Sequence, residues 1–86
     1  MNIYLISQSE RNGFDTYDSA VVMAPDKETA RNIDPGLNGE PKDWLDDSNE
    51  TWCSSPEYVA VLLIGKADDH QHDNKPCVVC ASFNAG

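Results

Sequence analysis

Positive charge is scarce in this chain: six Lys and Arg stand against fifteen Asp and Glu, a formal net charge of −9 over 86 residues. A field of that sign repels nucleic-acid phosphates and anionic lipid, which argues against direct binding to either, and it attracts basic protein surfaces. No apolar run approaches the roughly 20 residues that cross a bilayer, and the N-terminus lacks the basic and apolar stretches of a signal peptide. Cysteine is sparse and odd in number, three in all. That count suits no closed disulfide framework, and cytosolic thiols stay reduced. The Asn49-Glu50-Thr51 sequon has no consequence without secretion. What is present suffices for one thin core: 40% hydrophobic residues, with two Trp, three Tyr and two Phe, exclude wholesale disorder. The expectation is one soluble, cytoplasmic domain spanning residues 1–86.

Periodicity then organises the chain. Residues 2–7 put Ile3 and Leu5 on one face and Tyr4 and Ile6 on the other, and their β-branched and aromatic residues predict a strand. Asn12-Gly13 signals a turn, and residues 19–24 read as a second strand. Pro25 suits the first turn of a helix, with Asp26 and Glu28 at its positive end, Ala30 and Ile33 forming a short buried stripe, and Pro35-Gly36 as the stop. That predicts a helix of about eight to ten residues, too short to persist without packing on a sheet. Residues 34–57 hold seven acids, one base and both tryptophans. A helical turn opening at Pro41 and a capped turn at Ser54-Ser55-Pro56-Glu57 fit this stretch. Residues 58–67 are apolar on both faces, the pattern of a central strand. Residues 77–83 make a last strand. The order β-β-α-β-β predicts an α+β fold: a four-stranded antiparallel sheet with one short helix on one face. The acidic segment, inserted at about 36–50, is expected across an edge or the open face.

Candidate chemistry is thin. Cys77 and Cys80 have the spacing of a zinc knuckle, with His70 and His72 upstream. Yet residues three apart in a strand face opposite sides, so buried thiols acting as small hydrophobes are the expected state, and no metal or other cofactor is assigned. A thioredoxin-type role needs a helix N-terminus that this pair lacks. Asp43, Asp46 and Asp47, or Asp68, Asp69 and Asp73, offer oxygen ligands but without the Gly and closing Glu of a calcium loop. Ser54-Ser55 has no nucleophile motif around it, and no Gly-rich phosphate loop exists. A non-catalytic protein is expected.

The remaining signal is aromatic residues set in acid. Asp43, Trp44, Asp46, Asp47 and Glu50 form the candidate partner-binding site, the acids steering a basic partner and Trp44 anchoring it. The competing reading gives both tryptophans to the core, and it is favoured for Trp52, beside Cys53.

Tyr4-Leu5-Ile6, the run Gly13-Phe14-Asp15-Thr16-Tyr17-Asp18-Ser19-Ala20-Val21-Val22, and Glu28-Thr29-Ala30-Arg31 resemble a family of small acidic bacteriophage and prophage proteins. Trp52 ahead of a V-x-x-I-G strand (Val61 to Gly65) and the terminal Ala81-Ser82-Phe83-Asn84-Ala85-Gly86 agree with it. The resemblance leaves out residues 36–50 and 68–75, and Cys77 and Cys80 are not part of it. It implies a phage protein acting in the host cytoplasm, similar to anti-CRISPR inhibitors that mimic nucleic acid. The expected partner is a bacterial defence or nucleic-acid-handling protein with a basic surface. Two alternatives stay open: a binder that sequesters a small nucleotide signal, for which Arg11, Arg31 or Lys66 would have to converge, and a homo-oligomer paired through a strand edge.

Overall fold

A computed structural model describes residues 1–11, 13, 15–45, 51–66 and 75–84. Four strands form one sheet: β1 (Asn2–Ser7), β2 (Thr16–Ala24), β3 (Ala60–Lys66) and β4 (Cys77–Asn84), in the order β3-β1-β2-β4 with all neighbours antiparallel. One helix, α1 (Lys27–Arg31), follows β2. The predicted small α+β fold is the observed one. Among the described residues no helix is long and apolar enough to cross a membrane.

Pairing of Tyr4 with Val22 and of Ile6 with Ala20 puts the even-numbered residues of β1 and β2 on one face. On that face Tyr4, Ile6, Ala20, Val22 and Ala24 are buried with Ala30, Ile33, Trp52, Cys53 and Val59. Trp52 is the largest fully buried side chain, so the core reading of that tryptophan holds. The β1–β2 connection is held by a buried glutamine. Gln8 Nε2 donates to the carbonyls of Arg11 (2.8 Å) and Tyr17 (2.9 Å), while its Oε1 accepts from Arg11 N at 2.9 Å.

Several boundaries differ from expectation, each for a local reason. The helix starts after Pro25, because Asp26 is the N-cap and its Oδ1 accepts from Thr29 N at 2.7 Å; a side-chain cap satisfies a donor that proline at the first position leaves open. It has five residues rather than eight to ten. It stops at Asn32, whose Nδ2 bonds the Glu28 carbonyl at 2.8 Å, before Pro35-Gly36 is reached. β2 begins at Thr16 rather than residue 19, a shift in register at Asp18 absorbing the extra length against β4. Pro56–Tyr58 form a 3₁₀ turn, which delays β3 to Ala60, and Ser55 makes no side-chain capping bond there.

One correction and one placement bear on function. β3 is an edge strand, not a central one, since β1 and β2 occupy the middle. Leu62, Leu63 and Ile64 are therefore 59%, 54% and 50% exposed. Of the segment after α1, expected across an edge or the open face, the described part (residues 36–45) approaches the β4 edge. It folds back beside α1, where Ile33 bridges Pro41 and Lys42 N donates to the Asn32 carbonyl at 2.7 Å. Its tip abuts the chain leading into β4: Gly39 has φ +100°, and a Cβ there would collide with the Pro76 carbonyl and lie 2.8 Å from Cys77 Cα. Only glycine tolerates both demands.

Candidate functional site

The candidate acidic site begins where α1 ends. Asn32 is the organiser. Its Oδ1 accepts from the Trp44 indole N–H at 2.8 Å while its Nδ2 closes the helix. Both ends of the amide are thus engaged, and the loop is fastened to the helix terminus. Trp44 is partly buried against the core cluster, and Lys42 Nζ sits 5.6 Å from the centre of its ring. That Lys42 is itself buried and its charge is held over the aromatic face. Asp43, between them, is exposed, and its Oδ1 accepts from Leu45 N at 3.1 Å, shaping the turn. Leu45 next to it is 99% exposed. Asp46, Asp47 and Glu50 lie outside the described residues. Of the five candidate residues, Asp43 and Trp44 are placed side by side, with Asp43 facing solvent and Trp44 turned toward the helix end.

Two neighbours were not singled out by sequence. Asn32 carries no signal beyond being a polar residue near a helix stop. Leu45 belongs to the same short stretch as Trp44 but only the fold reveals that its side chain is left outside.

The cations take a different course from the acids. Arg11 Nη1 donates to the Trp52 carbonyl at 2.9 Å, and Arg31 Nη1 to the Val59 carbonyl at 3.2 Å. Each also faces an acid: Arg11 Nε lies 3.8 Å from Glu10, and Arg31 Nε 3.4 Å from Glu28. With Lys42, three of the six basic side chains thus brace the long return from α1 to β3. Asp26, Glu28, Glu40, Asp43 and Glu57 remain exposed on α1 and on that return. The N-cap bond from Thr29 holds the Asp26 carboxyl below the usual carboxylate range.

An open-mouthed cavity of about 510 Å³ lies between α1, residues 38–41 and the chain leading into β4. Its polar lining is Thr29, Asn32, Asn38, Glu40 and Lys75. Arg11, Arg31 and Lys66 are absent from that lining, so the convergence of cations expected for a nucleotide binder does not occur there. Among its described lining residues Lys75 and Glu40 supply one charge of each sign.

The thiols require a correction. Cys77 pairs with Met23 and Cys80 with Val21, because the register shifts between Val21 and Val22 and leaves Val79 as an extra residue. Met23 and Val21 are two apart on β2, so Cys77 and Cys80 share one face. Strict alternation would have separated them, but a β-bulge resets the parity of the strand. Neither is buried: Cys77 is half-buried and Cys80 exposed. The cysteine that behaves as a small hydrophobe is Cys53, fully buried, whose thiol is pushed up chiefly by burial and further by the nearby Glu10 charge. His70 and His72 lie outside the described residues, and among the described residues no three His, Cys, Asp or Glu gather as metal ligands.

Comparison with models of protein families, with curated proteins and with solved structures finds no match to this chain.

Proposed function

We propose that this chain is a non-catalytic inhibitor encoded by a bacteriophage or prophage. In the host cytoplasm it binds a basic surface on a bacterial defence or nucleic-acid-handling protein and occupies it in place of nucleic acid. One observation carries the reading: three of the six basic side chains are engaged by the fold while five acids on α1 and the return to β3 stand in solvent, although Asp34 is buried and Lys27, Lys66 and Lys75 are exposed. Arg11, Arg31 and Lys42 are drawn against backbone carbonyls and an aromatic ring, while Asp26, Glu28, Glu40, Asp43 and Glu57 stay exposed. Acids thus outnumber the exposed bases on α1 and on the return to β3, in a chain of net charge −9. Carboxylates so arranged substitute for phosphates in a cationic groove and steer association at long range. Asp43, exposed beside Leu45 and the fastened Trp44, supports this reading as one of the acids that would meet the partner, with Asp46, Asp47 and Glu50 as the others.

Affinity capture from lysates of bacteria carrying defence systems, at low and high salt, tests this. A stoichiometric protein partner is expected, with affinity falling at least tenfold at high salt and falling again in a double variant, Glu40→Gln with Asp43→Asn. A partner whose affinity is flat with salt, or no retained partner for the folded protein, overturns the proposal.

A further inference from the structure

We infer that β3 is the self-association strand of this protein, pairing antiparallel with β3 of a second copy so that two four-stranded sheets become one. The inference stands apart from the proposed inhibitory role and starts from a conflict between one strand and its position. β3 is a sheet edge, yet four consecutive residues, Val61 to Ile64, are apolar. Three of them are at least half exposed: Leu62 at 59%, Leu63 at 54% and Ile64 at 50%. Tyr58, just ahead of the strand, is 49% exposed. Leu62 pairs with Leu5 and so stands on the uncovered face, whereas Leu63 pairs with Tyr4 and stands on the helix-bearing face. The strand is thus apolar toward both sides, as a strand flanked by two neighbours is. Edge strands of monomeric proteins are normally blunted by charge or proline. β3 carries neither before its terminal Lys66.

Charge selects the occupant. Two copies of a chain with net charge −9 repel each other wherever their acids meet. Residues 58–65 contain no acid and no base, so two copies approaching along this strand bring apolar side chains together first. Antiparallel pairing of a strand with its own copy is also self-complementary: a two-fold axis normal to the sheet matches each residue to a residue of the same strand, keeps both helices on the same side, and closes the assembly at two chains. Pairing β3 with the other edge, β4, would leave a β3 at one end and a β4 at the other, the same complementary pair of edges again, and so would grow without closing. An interface built on one strand buries less than the ~800 Å² per partner of a standard complex, so the dimer is a concentration-dependent one.

The experiment is sedimentation equilibrium over a wide concentration range at low and high salt, with Leu62→Lys as the disrupting variant and Val79→Lys as its control. Val79 is 56% exposed on the opposite edge. The mass of the wild-type protein is expected to rise from 9.5 kDa toward twice that value. The rise should come at lower concentration in high salt, because screening relieves the repulsion between like-charged chains. Leu62→Lys is expected to stay at the monomer mass at every concentration, with unchanged circular dichroism and melting, and Val79→Lys to dimerise as the wild type does. Ile64→Lys provides a second disruption at the same edge should Leu62→Lys unfold. A wild-type mass that stays monomeric throughout overturns the inference. So does growth past two chains, or loss of the dimer in Val79→Lys with retention in both β3 variants. Salt acts here with the opposite sign to that expected for a basic partner, so each proposal fails on its own result.

Discussion

The two faces of the sheet are built from the same strands and differ little in hydropathy, yet they end in different environments. On the helix-bearing face Tyr4, Ile6, Ala20, Val22 and Ala24 are buried. On the other, Ile3, Leu5, Ser7, Ser19 and Val21 are only partly so, and Met23 is the buried exception. In β1 the competing pairs are Tyr4 and Ile6 against Ile3 and Leu5; each holds one isoleucine, and transfer scales rank leucine above tyrosine, so hydropathy alone would bury the other pair. The covered face is decided by residues downstream of β2. Asp26 caps α1 immediately after that strand, and the return to β3 places Trp52 beneath the sheet, tied by Arg11 to the β1–β2 connection. An amphipathic strand pattern specifies a buried face only when both alternating sets differ in polarity. Where both sets are apolar, a distant tryptophan makes the choice.

Trp52 is accordingly the side chain whose loss should most nearly erase the difference between the faces. Trp52→Ala is expected to cost about 3–5 kcal/mol of unfolding free energy, measured by urea denaturation. A loss below about 1 kcal/mol, in the range of ordinary surface substitutions, would mean that the helix-bearing face is not held by this residue. Trp52→Phe sharpens the test. The indole N–H is buried with no hydrogen-bond partner among the described residues, so phenylalanine gives up volume but also relieves a desolvated donor. It should cost less than half of the alanine change.

How much of this was legible in advance depends on whether the deciding contact is local. β1 and β4 were readable to within a residue, and the Asp26–Glu28 helix start to within two, because alternation and capping act over a few residues. The edge position of β3 was not, since its apolar pattern is that of a central strand and only the pairing order reveals that no second described strand flanks it. The shared face of Cys77 and Cys80 depends on one extra residue, Val79, and nothing in Cys-Val-Val-Cys marks a bulge. At the candidate site, the acidic composition around Asp43 and Trp44 was plain. The fastening of Trp44 by Asn32, twelve residues away, and the inward turn of Lys42 were not, because both arise from the loop folding back on α1.

Val21 and Val22 offer a finer comparison, since they are neighbours on one strand and face opposite ways. Val22 is fully buried, while Val21 is partly exposed on the uncovered face. Threonine has nearly the shape of valine and adds a hydroxyl, so the pair isolates polarity from volume. Val22→Thr places that hydroxyl among Tyr4, Ile6 and Trp52 and should destabilise by about 1–3 kcal/mol. Val21→Thr should remain within about 0.5 kcal/mol of the wild type. Equal losses in the two variants, by the same denaturation measurement, would mean that the second face is covered as thoroughly as the first.

The smallest expected effect lies in the pH dependence of the buried face. Cys53 is fully buried, and its thiol is held above the ordinary range, first by burial and then by the Glu10 charge. In the unfolded chain the thiol ionises near pH ~8.5; in the folded protein it stays protonated to higher pH. The folded state thus retains a proton that the unfolded state has already released, and stability falls with rising pH through that window. The contribution is complete below the unfolded value and declines as pH climbs toward the folded one. Cys53→Ala removes it, so the advantage of the wild type over this variant, measured by denaturation at about pH 7.5 and again near pH 10, should shrink at the higher pH. An advantage that stays constant would place Cys53 in contact with water, and the face it helps to close would be less dry than the packing around Trp52 implies.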